Sequence, residues 1–227
     1  MNESINRLKL VRQRIESACI AAGRKPEEVS LLAVGKRHPS EKMSTLHELG
    51  VKRFGENQLQ EARQKQKELA HLAIQWHFIG AMQSNKTRPI AEHFHWVQSV
   101  DRKKILTRLS QQRPDGLEPL NICLQVNIDR EPQKAGVDPE DILQLASYSS
   151  GLDNIKLRGL MAIPMVTTDL NQQHDSFRRV RVLFETLRNE GYDLDTLSMG
   201  MSSDLETAIA EGSTMVRIGT DLFGKRA

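Results

Sequence analysis

Eight short apolar runs, each followed by a stretch with helical spacing, constrain this chain more than any other feature. The runs fall at residues 31–35, 52–54, 74–79, 96–99, 120–127, 157–163, 196–199 and 214–218. Short continuous apolar runs suit strands buried on both faces, and such strands belong to parallel sheets whose crossovers are helices. Between the runs the period changes to 3.6. Met43, Leu46 and Leu49 stop at Gly50, a polar stretch runs from Gln58 to Leu72, another helical stretch spans 83–94, and Ile105, Leu106 and Leu109 follow. Ile142, Leu145 and Ala146 stand behind an Asp138-Pro139 start, and Phe177, Val180, Phe184 and Leu187 mark a long helix. Ser203-x-x-Glu206 reads as a capping box ahead of Leu205, Ala208 and Ile209. Strict alternation, repeated eight times in 227 residues, predicts an α/β fold that closes into a single (β/α)8 TIM barrel, with an open doubly wound sheet as the alternative. Leu8, Val11, Ile15 and Cys19 add an extra N-terminal helix, residues 1–23, packed on the barrel and stopped by Gly23. No repeat or linker divides the chain, so residues 1–227 read as one domain.

Composition excludes several classes of function. The net charge is only +3, and the basic residues are scattered rather than striped, so the field that draws in nucleic acid is weak. The "RRVR" at 178–181 reads as a solvated helix face, because Arg178 and Arg181 lie off the Phe177/Phe184 stripe. No stretch approaches the roughly 18 consecutive apolar residues of a membrane helix, and the N-terminal segment lacks the apolar core of a signal peptide, so the expectation is a cytoplasmic protein. Cys19 and Cys123 stand alone and fit reduced, buried thiols. His93 and His95 alternate in "EHFHW" but lack the further ligands that a metal site needs. No long exposed apolar stripe calls for a second copy, so a monomer is expected.

In a barrel of this kind the reactive residues sit at the C-terminal ends of the strands. Here those ends are Gly35-Lys36, Gly55-Glu56-Asn57, "GAMQSNK" at 80–86, Ser99-Val100-Asp101, Asn127, "MAIP" at 161–164, "SMGMSSD" at 198–204 and "RIGTDLFG" at 217–224. Small residues dominate and let backbone N–H groups approach a ligand closely. The loops after strands seven and eight are where such barrels frequently hold phosphate, and Ser202, Gly219 and Thr220 fall there, either as anion binders or as plain cap and turn residues. Lys36 is the exception on a buried strand end: either it snorkels to solvent or its desolvated amine reacts with an aldehyde. Pyridoxal phosphate carries both an aldehyde and a phosphate, and Arg217, at the end of the last strand, would neighbour the first strand in a closed barrel. Glu56 reads as a carboxylate pairing with Lys52 or Arg53, and His77 as a core or wall histidine.

The segments "AVGKRHP", "FGENQLQEA", "WHFIGAMQSNK", "LRGLMAIP" and "SMGMSSDLETAIAEGSTMVRIGTDLFG", in this order, closely resemble the pyridoxal-phosphate homeostasis proteins of the YggS type. These are single barrels similar to the alanine racemase N-terminal domain, the fold type III of pyridoxal-phosphate proteins. The resemblance runs from Leu31 to Gly224. It implies that Lys36 carries pyridoxal 5'-phosphate as a Schiff base, that Arg217 faces the ring nitrogen, and that Ser202, Gly219 and Thr220 hold the phosphate. Asn57 would line the pocket, with Ser84, Asn85 and Lys86 nearer its rim. Two positions depart from the family pattern. Gly35 stands where serine is common, leaving room or a water beside the cofactor bond, and Arg37 replaces a common threonine, adding charge at the rim.

The resemblance also implies a binder that keeps the cofactor in balance, with apo forms of pyridoxal-phosphate enzymes as candidate recipients. The alternative is a pyridoxal-phosphate-dependent racemase or lyase of the alanine racemase type, with Lys36 as the catalytic base. Racemising relatives take a second base, a tyrosine, from a C-terminal β-domain. This sequence offers only Tyr148, on a predicted outer helix, and Tyr192, in a helix-to-strand loop. An arginine opposite the ring nitrogen would keep the ring unprotonated and a poor electron sink.

Overall fold

Each apolar run becomes a strand, and every strand pairs in parallel with its neighbours in chain order until the eighth closes on the first. The computed structural model describes residues 2–224, so Met1 and residues 225–227 of the 1–227 domain lie outside the described residues, while the N-terminal helix, expected to reach residue 23, ends at Ala21. The strands are β1 (Ser30–Val34), β2 (Arg53–Glu56), β3 (Gln75–Phe78), β4 (Trp96–Val100), β5 (Leu120–Val126), β6 (Ile155–Ala162), β7 (Thr196–Ser198) and β8 (Met215–Ile218). The helices are α1 (Asn2–Ala21), α2 (Ser40–Glu48), α3 (Leu59–Glu68), α4 (Thr87–His93), α5 (Lys103–Gln112), α6 (Ile142–Ser150), α7 (Leu170–Asn189), α8 (Leu205–Ala210) and α9 (Thr220–Phe223). The closed (β/α)8 barrel is the predicted fold; the open sheet is not formed.

Some boundaries move for local reasons. The second run extends through Gly55 and Glu56, which belong to β2 rather than to the loop beyond it. The polar helix ends at Glu68 instead of Leu72. The predicted Ser203–Glu206 capping box does not form. The Asp204 carboxylate accepts from the Met201 N–H at 2.6 Å and tightens the turn, so α8 starts only at Leu205, while Glu206 turns away to Arg14.

The N-terminal helix covers part of the outer wall. Leu8, Val11, Ile15, Ala18 and Cys19 are buried along one stripe, and α1 packs against α2, α8 and α9. Burying each of the larger apolar side chains contributes about 1.5–3 kcal/mol. Just beyond the helix, Arg24 donates to the Ile209 and Ser213 carbonyls and so satisfies the C-terminal end of α8. One glycine is dictated by geometry: Gly159 sits at φ +155° opposite the register shift in β5, where a Cβ would lie 1.7 Å from the Thr196 carbonyl oxygen.

The barrel interior is unusually polar. Trp96, Cys123 and Met161 form a small apolar cluster there, and beside it runs a continuous hydrogen-bonded chain. Arg217 donates to the Ser198 hydroxyl at 2.9 Å, Ser198 donates to Gln98 at 2.7 Å, the Gln98 amide donates to His77 Nδ1 at 2.9 Å, and His77 Nε2 meets Gln75 at 3.2 Å. His77 is fully buried, stacked on Trp96, and burial holds its imidazole well below the ordinary pKa. It is a satisfied wall histidine, as the sequence indicates.

Candidate functional site

Lys36 lies two residues beyond β1, half-buried, in a turn whose backbone is fixed on every side. Gly35 N–H donates to the Gly55 carbonyl, and His38 N–H returns to the Gly35 carbonyl. Arg37 adopts φ +61°, a left-handed conformation uncommon outside glycine, asparagine and aspartate. Gly35 leaves no spare room. A Cβ there would meet Glu56 Oε1 at 2.8 Å and Met43 Sδ at 2.9 Å, so the space expected for a water is filled from outside the barrel. His38 stacks on Phe223 with ring centroids 5.0 Å apart, and Lys42 donates to the Phe223 carbonyl, joining the Lys36 turn to α9.

Arg217 is 4% exposed, inside the barrel, in register with Leu32 of β1. Its guanidinium donates to the Ser198 carbonyl at 2.6 Å, the Ser198 hydroxyl, and the Ala162 carbonyl at 2.8 Å. Burial pulls its pKa down to about 10, against the attraction of Asp204. It stays cationic at neutral pH, and its five N–H donors exceed the three bonds it makes.

The loops after β7 and β8 form the second half of the site. Ser202 is half-buried in the turn before α8, and Gly219 and Thr220 open α9. A Cβ at Gly219 would lie 3.4 Å from the Val34 carbonyl, so this loop abuts the strand that carries Lys36. Among the described residues, the backbone N–H groups of Ser202 and Ser203 and the side chains of Ser202 and Thr220 donate to no protein acceptor. Arg14, from α1, ties the loops together: it donates to the Ser202 carbonyl at 3.0 Å, to both oxygens of Glu206, and to Asp221 at 2.5 Å.

Asn57 directly follows β2 and takes part in the packing of the next loop, because a Cβ on Gly80 would collide with the Asn57 backbone. Ser84 sits in a 3-10 turn, Ser84–Lys86, where its carbonyl accepts from the Thr87 hydroxyl. The described contacts bring Gly219 against Val34 of β1 and Arg217 onto Ser198 of β7, while Ser84 stands in the separate loop after β3. Glu56 pairs with neither Lys52 nor Arg53. It points out of the barrel, fully buried, onto Lys65 at 2.8 Å. Strand parity separates it from Arg53, which alternates with Phe54 and Glu56, while Lys52, before the other end of β2, meets His47. Sequence reasoning also missed Arg14 and the Ser198–Gln98 pair. Arg14 stands three residues after Val11 and gave no distinguishing signal, whereas Gln98 and Ser198 were visible as polar interruptions in apolar strands.

Comparisons with known proteins now bear on this site. Residues 11–227 match the family model "Alanine racemase, N-terminal domain". The chain is 58% identical over 216 residues to the pyridoxal phosphate homeostasis protein of Pseudomonas aeruginosa, covering 95% of this chain and 93% of that one. It belongs to the pyridoxal phosphate homeostasis protein family. The family member from Escherichia coli is 44% identical over 229 residues, covering 100% of this chain and 98% of its own. Among solved structures, PipY of Synechococcus elongatus with pyridoxal phosphate bound superposes with a TM-score of 0.82 at 38% identity, covering 94% of this chain and 100% of PipY. Alanine racemase of Clostridium difficile shares the fold, with a TM-score of 0.78 at 13% identity, covering 99% of this chain but 57% of the racemase. Within the family fold, the Lys36 turn and the loops after β7 and β8 occupy one mouth of the barrel. No described helix is long and apolar enough to cross a membrane, and no described cluster of His, Cys, Asp or Glu forms a metal site.

Proposed function

We propose that this protein binds pyridoxal 5'-phosphate on Lys36 and keeps it available in the cell, as a cytoplasmic, monomeric participant in cofactor homeostasis rather than in amino-acid turnover. The observation that carries the reading is the position of Lys36, two residues beyond β1, beside the β8 loop that abuts this strand, with unpartnered donors in the β7 and β8 loops. That donor set fits a phosphorylated aldehyde: an amine on one side, backbone N–H and hydroxyl donors for a phosphate on the other, and the buried cation of Arg217 between the strands. When bound, the cofactor supplies an aldehyde that condenses with the lysine amine, releasing water.

In this reading Ser202, Gly219 and Thr220 hold the phosphate, Arg217 faces the ring nitrogen, Asn57 lines the pocket and Ser84 stands at its rim. The Ser198–Gln98–His77 chain holds the guanidinium in one orientation. An arginine donor at the ring nitrogen disfavours ring protonation and with it the carbanion chemistry of racemases. The tyrosines support the same side: Tyr148 shares a hydrogen bond with Thr107 between α5 and α6, and Tyr192 precedes β7 at the opposite end of the barrel. Apo forms of cofactor-dependent enzymes are the recipients this role calls for. Titration of the purified protein with pyridoxal phosphate, followed by its visible spectrum and by exchange of the α-proton of amino acids, tests the proposal. Saturable binding without steady exchange is expected; absent binding, or exchange at enzymic rates, would overturn it.

A further inference from the structure

Lys65 is one of only two buried residues on α3, the other being Ala62, although lysine is among the residues least often buried. Its ammonium has three donors, and all three are used: on the Gly35 carbonyl at 2.8 Å, on Glu56 Oε1 at 2.8 Å, and on Glu61 Oε1 at 2.6 Å. Glu61 Oε1 in turn accepts the Arg37 N–H at 2.5 Å. The peptide groups on the two sides of Lys36 are therefore both held by one ion-pair cluster, from behind the sheet. The carbonyl of the 35–36 peptide is fixed directly by Lys65, and the N–H of the 36–37 peptide through Glu61.

The cluster has features of a device for direction rather than for stability. A buried ion pair seldom stabilises a fold relative to an apolar pair, because both charges lose their water. Glu56 Oε2 is left buried without a partner, which adds to that cost. Yet the same cluster coincides with Arg37 at φ +61°, a conformation retained only where the surroundings over-determine it. Gly35 lets the turn lie directly against Glu56, since any Cβ would push the carboxylate away.

We infer that Lys65 is the positioning residue for Lys36: without touching the ligand, it sets the direction in which the amine leaves β1, and so the rate at which that amine bonds to an aldehyde in the barrel mouth. This rests on the cofactor reading above, in which Lys36 is the attachment point. A misplacement of the amine by an ångström is expected to slow attachment by roughly ten- to hundredfold.

The test measures the rate of borohydride-trappable attachment of pyridoxal phosphate to Lys36 in the full chain, for the unaltered protein, Lys65→Met, Lys65→Arg and Glu61→Ala. Equilibrium retention of the cofactor by Lys36→Ala and by Lys36→Ala/Lys65→Met accompanies it. Slowed attachment in Lys65→Met, partial slowing in Glu61→Ala, and equal noncovalent retention in the two Lys36→Ala proteins are expected. Should Lys65→Met fail to fold, Glu61→Ala, whose side chain is partly exposed, carries the same comparison. Attachment at the unaltered rate in folded variants would overturn the inference, as would noncovalent retention that falls in Lys36→Ala/Lys65→Met relative to Lys36→Ala, which marks a merely structural role. Failure of the cofactor reading looks different: the unaltered protein itself then traps nothing.

Discussion

The guanidinium of Arg14, on the first helix, donates to the backbone carbonyl of Ser202, 188 residues later in the chain, at 3.0 Å. The same group reaches Glu206 on α8 and Asp221 on α9, so a helix outside the barrel joins the two loops proposed to hold phosphate. Arg14→Met is expected to weaken pyridoxal-phosphate binding by about 1 kcal/mol, near the low end for charged hydrogen bonds because the pairs are partly exposed. Spectrophotometric titration checks this, and affinity equal to that of the unaltered protein would show that the loops hold their shape without Arg14.

Arg217 invites a charge-reversal test, but its burial changes which variant informs. Arg217→Glu strands the Ser198 and Ala162 carbonyls beside a buried carboxylate and is expected to cost about 3–5 kcal/mol of stability. In whatever fraction folds, binding weakens and the visible spectrum shifts toward that of a protonated ring. Arg217→Gln keeps a donor and is expected to lower affinity roughly tenfold, the equivalent of about 1.4 kcal/mol. An unchanged spectrum in both variants would remove Arg217 from the ring nitrogen.

At Gly35, contact distances decide the sign. A methyl group would lie 2.8 Å from Glu56 Oε1, which Lys65 pins in place, and 2.9 Å from the more yielding Met43 Sδ. Gly35→Ala is expected to destabilise the fold by about 1–3 kcal/mol through overpacking. Urea denaturation measures it; a neutral result would mean that Glu56 moves freely.

Glu56 makes stability depend on pH. Burial pushes its carboxyl from 4.5 up to about 7, with the Lys65 ammonium pulling the other way. Between these values the folded protein binds more protons at this site than the unfolded chain does. Its contribution is therefore fully present below the unfolded value and is lost as pH rises through about 7. The fall in urea midpoint between about pH 5 and about pH 8 is expected to shrink in Glu56→Gln. A fall of the same size in both proteins would assign the dependence to other groups.

The eight-strand plan was legible because burial on both faces writes itself as short apolar runs, and the helices between them kept their period. The placement of Lys36, Arg217, Ser202, Gly219 and Thr220 at or just beyond strand ends was legible for a related reason, since the strand order fixes which loops share one mouth of the barrel; their roles toward a ligand belong to the proposal. What stayed hidden depends on side chains crossing between elements. Glu56 faces outward because β2 begins at Arg53 and runs on through Glu56, a boundary the run at 52–54 did not show. Lys65 sits in a helix of polar composition, where a lysine ordinarily marks a solvated face. The Ser203 capping box does not form because Asp204 rather than Ser203 directly precedes α8 and the Glu206 carboxylate is taken by Arg14.

Borohydride reduction of the protein saturated with pyridoxal phosphate, followed by peptide mass spectrometry, tests the attachment at Lys36. One phosphopyridoxyl group is expected, on the peptide containing Lys36, and none in Lys36→Ala. A label on another lysine, or covalent cofactor retained by Lys36→Ala, would contradict it.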